Sequence, residues 1–232
     1  MENERWLQGG PFLEVSFFLE NNSQDKQKII NDVLDKTNQI QPKIEIINTI
    51  EEINNEKENF IKGYLYDETN LNSLTIHSMS LKLFIHFKRK RRCFLDFSIS
   101  SKDKAILVAF CFFGSNFDVP EWDQVGVREE EIKEFKAFFI SLFEIYNFTL
   151  GVLGYEMDVT YLFNTERSWP DEFSYDLKNL SIPEVIGNHL NNFNCYDYLI
   201  VNESFINLLN YKIDKEKINN GFFIDKHSPI EL

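Results

Sequence analysis

Three consecutive runs between Ser80 and Phe113 alternate apolar and polar residues, and this pattern restricts the fold more tightly than anything else in the chain. In SLKLFIHF (80–87), Leu81, Leu83, Ile85 and Phe87 share one face. In CFLDFSIS (93–100), Cys93, Leu95, Phe97 and Ile99 do the same. A period of two is the signature of strands, whose successive side chains point to opposite faces. Folding the chain about Lys90 pairs Phe87 with Cys93, Ile85 with Leu95, Leu83 with Phe97 and Leu81 with Ile99. The five consecutive cations Lys88 to Arg92 then form a solvated hairpin tip, where their repulsion is screened. A second turn at SSKDK (100–104) brings back AILVAFCFF (105–113) as a third strand, apolar on both sides and therefore central. The reading predicts Leu83, Ile85, Leu95, Phe97 and Leu107 buried on one face, with Lys88 to Arg92 exposed. If the second hairpin folds about Lys102, Cys93 and Cys111 face each other across adjacent strands.

Other segments complete the outline. FLEVSFFL (12–19) reads as a first strand, followed by Asn21 to Ser23 as helix caps and a helix carrying Ile29, Ile30, Val33 and Leu34 on one side. KIEIIN (43–48) and GYLYDE (63–68) read as short strands, and the polar EEINNEKEN (51–59) as an exposed connection. REEEIKEFKAFFISLFEIYN (128–147) is the strongest helix, with an acidic first turn and a stripe of Ile132, Phe135, Phe139, Leu142, Phe143 and Tyr146, widened by Phe138 and Ile145. GVLGYEMDVTYLF (151–163), YDYLIVN (196–202) and GFFIDKH (221–227) read as strands, and IPEVIGNHLNNF (182–193) as a short helix. The fold class is α+β: a mainly antiparallel sheet with a three-strand meander over about 80–113 and helices packed on it. Residues 1–232 form one domain, with a smaller α+β subregion from about 151.

Composition narrows the function. The 232 residues carry a net charge of -13, which disfavours nonspecific nucleic-acid binding and suits fast association with a basic partner. The 23 phenylalanines require a large core or an interface. No run of about 18 apolar residues is present, so no membrane span is expected. The N-terminus lacks the basic and apolar regions of a secretory signal. Three cysteines, an odd number, point away from a disulfide scaffold and toward the cytoplasm.

Catalytic signatures are sparse. His77, His86, His189 and His227 have no metal-ligand spacing, and no phosphate loop, dinucleotide fingerprint or nucleophile elbow occurs, so neither a metal nor a cofactor is expected. His86 falls on the less apolar face of its strand, beside Phe94. Cys93 and Cys111 lie in apolar runs and read as core thiols, and Cys195 has no recognisable base nearby. Glu156 and Asp158, two apart on one strand face, form a pair able to bind Mg²⁺ or share a proton, or simply the wet face of an edge strand. Two loops join tryptophan to carboxylates: Glu121, Trp122 and Asp123, and Trp169 with Asp171 and Glu172. They are the candidate partner-binding residues, though each Trp can equally pack its own loop onto the domain.

An acidic chain opening with PFLEVSFFLENNSQDKQKIINDVL, continuing through a meander and closing on CYDYLIVNESF resembles the immunity proteins of bacterial polymorphic toxin systems. The resemblance covers most of the chain, in element order and composition. It implies a non-enzymatic inhibitor that neutralises a cognate toxin domain, basic in charge, inside the producing cell. Carboxylates and aromatic anchors would occupy the toxin's site. The alternatives are an enzyme built on Glu156 and Asp158, or an anionic-ligand or nucleic-acid binder using the turn 88–92.

Overall fold

The alternating runs do form a sheet, and every other element is arranged around it. The computed structural model describes residues 12–88, 90–100, 104–113, 129–155, 159–160, 196–206 and 216–225, in which ten strands make one open sheet. The strands are β1 (Phe12–Glu20), β2 (Ile44–Ile46), β3 (Tyr64–Leu65), β4 (Thr75–His86), β5 (Lys90–Ser100), β6 (Ala105–Phe113), β7 (Leu150–Tyr155), β8 (Tyr196–Asn202), β9 (Glu216–Ile218) and β10 (Gly221–Asp225). Their order is β2-β4-β5-β6-β1-β7-β8-β10-β9, with β3 also on β4, and every pairing is antiparallel. The helices are α1 (Lys26–Thr37), α2 (Ile50–Lys62) and α3 (Glu129–Tyr146), plus one turn at Glu203–Ile206. This is the expected α+β architecture, and β6 lies between β5 and β1 as a central strand.

All three helices pack on one side, here the inner face. Ile29, Ile30 and Val33 of α1, Phe60 of α2, and Phe135, Phe138, Phe139, Leu142 and Phe143 of α3 share one core with Val15, Phe17, Leu83, Ile85, Leu95, Phe97 and Phe110. The described phenylalanines are mainly core: Phe110 and Phe138 meet edge-on at 5.5 Å, and Phe17 stacks on Phe148 at 4.6 Å. The Tyr146 hydroxyl donates to the Val33 carbonyl (2.9 Å) and lies 2.7 Å from Thr37 Oγ1, tying α3 to α1. Burial pushes the Tyr146 pKa up, so this hydroxyl stays a donor.

The helix caps differ in part from expectation. Asp25, rather than Asn21 to Ser23, caps α1 by accepting from the amides of Gln27 and Lys28. The segment 51–59, read as a connection, lies inside α2. Thr49 and Glu52 form a reciprocal capping box there, and Phe60 is the helix's buried anchor. Gly63 ends α2 at φ 67°, where a Cβ would strike Thr75 and His77. His77 bonds the Phe60 carbonyl through Nδ1 (2.7 Å), and burial lowers its pKa.

The meander exists, but its register corrects three expectations. Leu83 pairs with Cys93, Leu81 with Leu95 and Met79 with Phe97, and His86 with Lys90, so the hairpin centres on Lys88 rather than Lys90. Each residue meets a partner four positions from the expected one, an even shift that keeps every face intact. Leu83, Ile85, Leu95 and Phe97 are therefore buried as expected. Phe87 leaves the ladder to pack on Phe112, Phe135 and Phe138, and this aromatic contact selects the register over its equally alternating rival. In the second hairpin Cys93 pairs with Phe112 and Cys111 with Phe94, so the two thiols lie on opposite faces and do not meet. The same odd offset turns Leu107 outward, while Ile106 and Val108 point into the core.

The free side of β4 is covered at its ends by β2 and β3. Between them the Lys82 amide donates to Asn48 Oδ1 (2.7 Å) and the Ser80 amide makes a long 3.5 Å bond to Glu56 Oε2.

Candidate functional site

The basic tip is not a uniform solvated knot. Lys88 and Lys90 are exposed, but Arg91 is 3% accessible and pairs with Glu131, itself 5% accessible, in the first turn of α3. The expectation that all of Lys88 to Arg92 is exposed therefore fails at Arg91, which is buried, and at Arg92, which is half-buried; Arg89 lies outside the described residues. Arg91 has the parity of Cys93 and stands opposite Ile85, so the corrected register aims it into the core. A buried guanidinium needs an anion, and α3 supplies one. Lys90 sits 2.9 Å from Glu45 and 3.8 Å over the Phe84 ring. His86 reaches the same carboxylate at 2.9 Å, so its neighbours are Glu45 and Lys90 rather than Phe94. Lys90 first, then His86, holds the Glu45 pKa down. The Lys88 amide donates to Glu134 (2.8 Å). Two of the tip's five cations, Lys90 and Arg91, are thus engaged by the protein's own carboxylates.

The loop residues Glu121, Trp122, Asp123, Trp169, Asp171 and Glu172 lie outside the described residues, as do Glu156, Asp158 and Cys195. Cys93 and Cys111 are free thiols. Burial pushes both pKa values well up, so neither is a thiolate at neutral pH. Among the described residues, no group of three His, Cys, Asp or Glu converges as a metal site.

Two concavities are lined by described residues. The larger, about 530 Å³, lies between the end of β1, α1 and the C-terminus of α3. Its charged residues are Glu20 at the end of β1 and Lys28, Asp32 and Lys36 along one side of α1; Glu20, Lys28 and Asp32 are exposed, so water already serves them. The smaller, about 340 Å³, lies on the outer face of β4, β5 and β6. Its lining includes Ser78, Ser80, Asp96, Ser98 and Ala109, with Glu56 and Tyr64 also contributing. Asp96 receives bonds from the Ser80 hydroxyl and the Cys111 thiol (3.6 Å), which lower its pKa. Desolvation is larger and raises it, helped by the negative charge of Glu56. The sequence reading missed Asp96. The available signal was a single carboxylate on a strand face otherwise made of small polar residues.

A third surface is the solvent side of α2. Ile50 and Ile61 are eleven positions apart, three helical turns, and so align with Asn54 and Glu58 along one exposed stripe. Ile50 is 79% accessible, and Leu71 in the following turn 84%. Glu51, Glu52 and Glu58 are exposed on the same helix.

No family model, curated protein or solved structure matches this chain. No helix of the described residues is long and apolar enough to cross a membrane.

Proposed function

We propose that this chain is an inhibitor that binds and neutralises a cognate toxin domain in the cytoplasm of the cell producing it. The carrying observation is the net charge of -13 together with an exposed helix, α2, that sets carboxylates beside uncovered isoleucines. Apolar anchors rimmed by charge are the usual anatomy of a protein-binding surface. Acidic charge steers a basic partner onto it and excludes acidic ones. The loops with Trp122 and Trp169 are further anchors in this reading, with Glu121, Asp123, Asp171 and Glu172 as their steering charges. The inhibitor needs no cofactor, metal or catalytic group.

The test is co-expression with the toxin domain encoded by the adjacent reading frame. The expected result is restored growth, a stable complex of the two purified proteins, and an association rate that falls with added salt. Changing Glu121, Asp123, Asp171 and Glu172 to lysine should slow association, whereas Trp122→Ala or Trp169→Ala should speed dissociation. Neutralising Lys88 and Lys90 should leave inhibition intact. Absence of both complex and protection would overturn the reading.

A further inference from the structure

We infer that the groove on the outer face of β4, β5 and β6 receives one cationic side chain, a lysine or arginine of the basic partner, with the Asp96 carboxylate as its counter-ion. The inference rests on the inhibitor reading for the partner's identity. The groove itself stands on its own geometry.

Small side chains make the space. Ser80, Asp96 and Ala109 stand side by side on three neighbouring strands, and Ser78 and Ser98 continue the floor. The resulting 340 Å³ is ample for an aminobutyl or guanidinopropyl chain. Tyr64 supplies an aromatic wall for its methylenes, and the Ser hydroxyls supply acceptors for its N–H groups.

The charge is what the groove lacks a partner for. Asp96 points away from the core, so folding does not require a carboxylate there. Ser80 and Cys111 donate to it, but both are neutral. The facing charged groups are Glu56 on α2 and Glu14, which neighbours Cys111 across β1 and β6, and both are acidic. Of the cations on this face, Lys82 lies 3.7 Å from Glu52, Lys90 pairs with Glu45, and Arg92 stands four residues from Asp96 along β5. Among the described residues no cation pairs with Asp96. A ligand ammonium or guanidinium entering the groove would supply the missing charge and, by covering the half-buried Asp96, strengthen the pair.

The test uses the full chain labelled with ¹³C at aspartate side chains. The probes are the peptides acetyl-Gly-Lys-Gly-amide and acetyl-Gly-Arg-Gly-amide, with the norleucine peptide as the neutral control. A saturable shift of the Asp96 signal is expected with the cationic peptides alone, together with a fall of its pKa at saturation. Asp96→Asn, read on backbone amides of the groove, should weaken binding by roughly tenfold or more. Ser98→Leu, which fills the groove and keeps the charge, should also weaken it. No saturation, equal binding of the norleucine peptide, or binding untouched by both variants would overturn the inference. Failure of the inhibitor reading shows separately, as lost growth protection. A toxin complex equally tight with Asp96→Asn would sink the groove's role and leave inhibition standing.

Discussion

The outer face of the sheet is two different surfaces on one backbone. Across β1, β7, β8 and β10 it presents Phe18, Leu150, Val152, Leu199, Val201 and Ile224, all fully buried. Buried Ser16 accepts the Val159 amide there at 2.8 Å, so chain beyond β7 crosses this half. Across β4, β5 and β6 the same face presents Ser78, Ser80, Asp96, Ser98 and Ala109 around an open groove. Both halves are antiparallel, with a register irregularity between Leu153 and Gly154 in the closed one. The main difference is side-chain volume and polarity. Large apolar groups are buried, because their exposure to water is unfavourable, whereas small hydroxyls and one carboxylate leave the surface to solvent or to a ligand.

This contrast can be broken in graded steps. Phe18→Ala should have the largest effect, a loss of about 3–5 kcal/mol in urea denaturation, because it empties a fully packed site in the closed half. A loss below about 1 kcal/mol would mean that this half is not core. Arg91→Met should cost about 3 kcal/mol by leaving Glu131 buried without its cation. Adding Glu131→Leu should recover most of that loss, and failure to recover would show that the pair is more than mutual compensation.

Asp96→Asn should move stability the other way. A carboxyl whose pKa is raised on folding holds its proton more tightly in the native state. Its destabilising effect is therefore absent below the unfolded pKa of about 4, grows as pH rises through the folded value, and is constant above it. The asparagine variant should be more stable than wild type at pH 7, with the difference vanishing in acid. A difference independent of pH would refute desolvation as the cause. Ser98→Ala, in the open half, should change stability by less than about 0.5 kcal/mol.

Much of the fold was legible because burial writes itself into periodicity. The faces of β4, β5 and β1, the stripe of α3 and the buried side of α1 all follow from the spacing of apolar residues. Register was not legible in the same way. Shifting the hairpin by an even number of residues preserves every face, and the deciding contact, Phe87 on Phe135 and Phe138, joins segments remote in sequence. Arg91 was hidden for that reason: its burial depends on Glu131 arriving from another element. α2 was missed because Phe60 is its only fully buried residue, although Thr49 and Glu52 spelled its capping box. Of the candidate sites, the acidic surface was visible as net charge. The groove was not, since it exists only when three strands align Ser80, Asp96 and Ala109.

The exposed side of β4 has a consequence for the behaviour of the protein at high concentration. A bare strand edge invites a neighbouring molecule to add its own strand, which is how sheets grow into aggregates. Here the amides of Lys82 and Ser80 already donate to Asn48 and Glu56, and Glu56 places a negative charge where an incoming backbone would dock. A second copy meets occupied donors and like charge together. The gap between β2 and β3 is thus a poor template for an added strand.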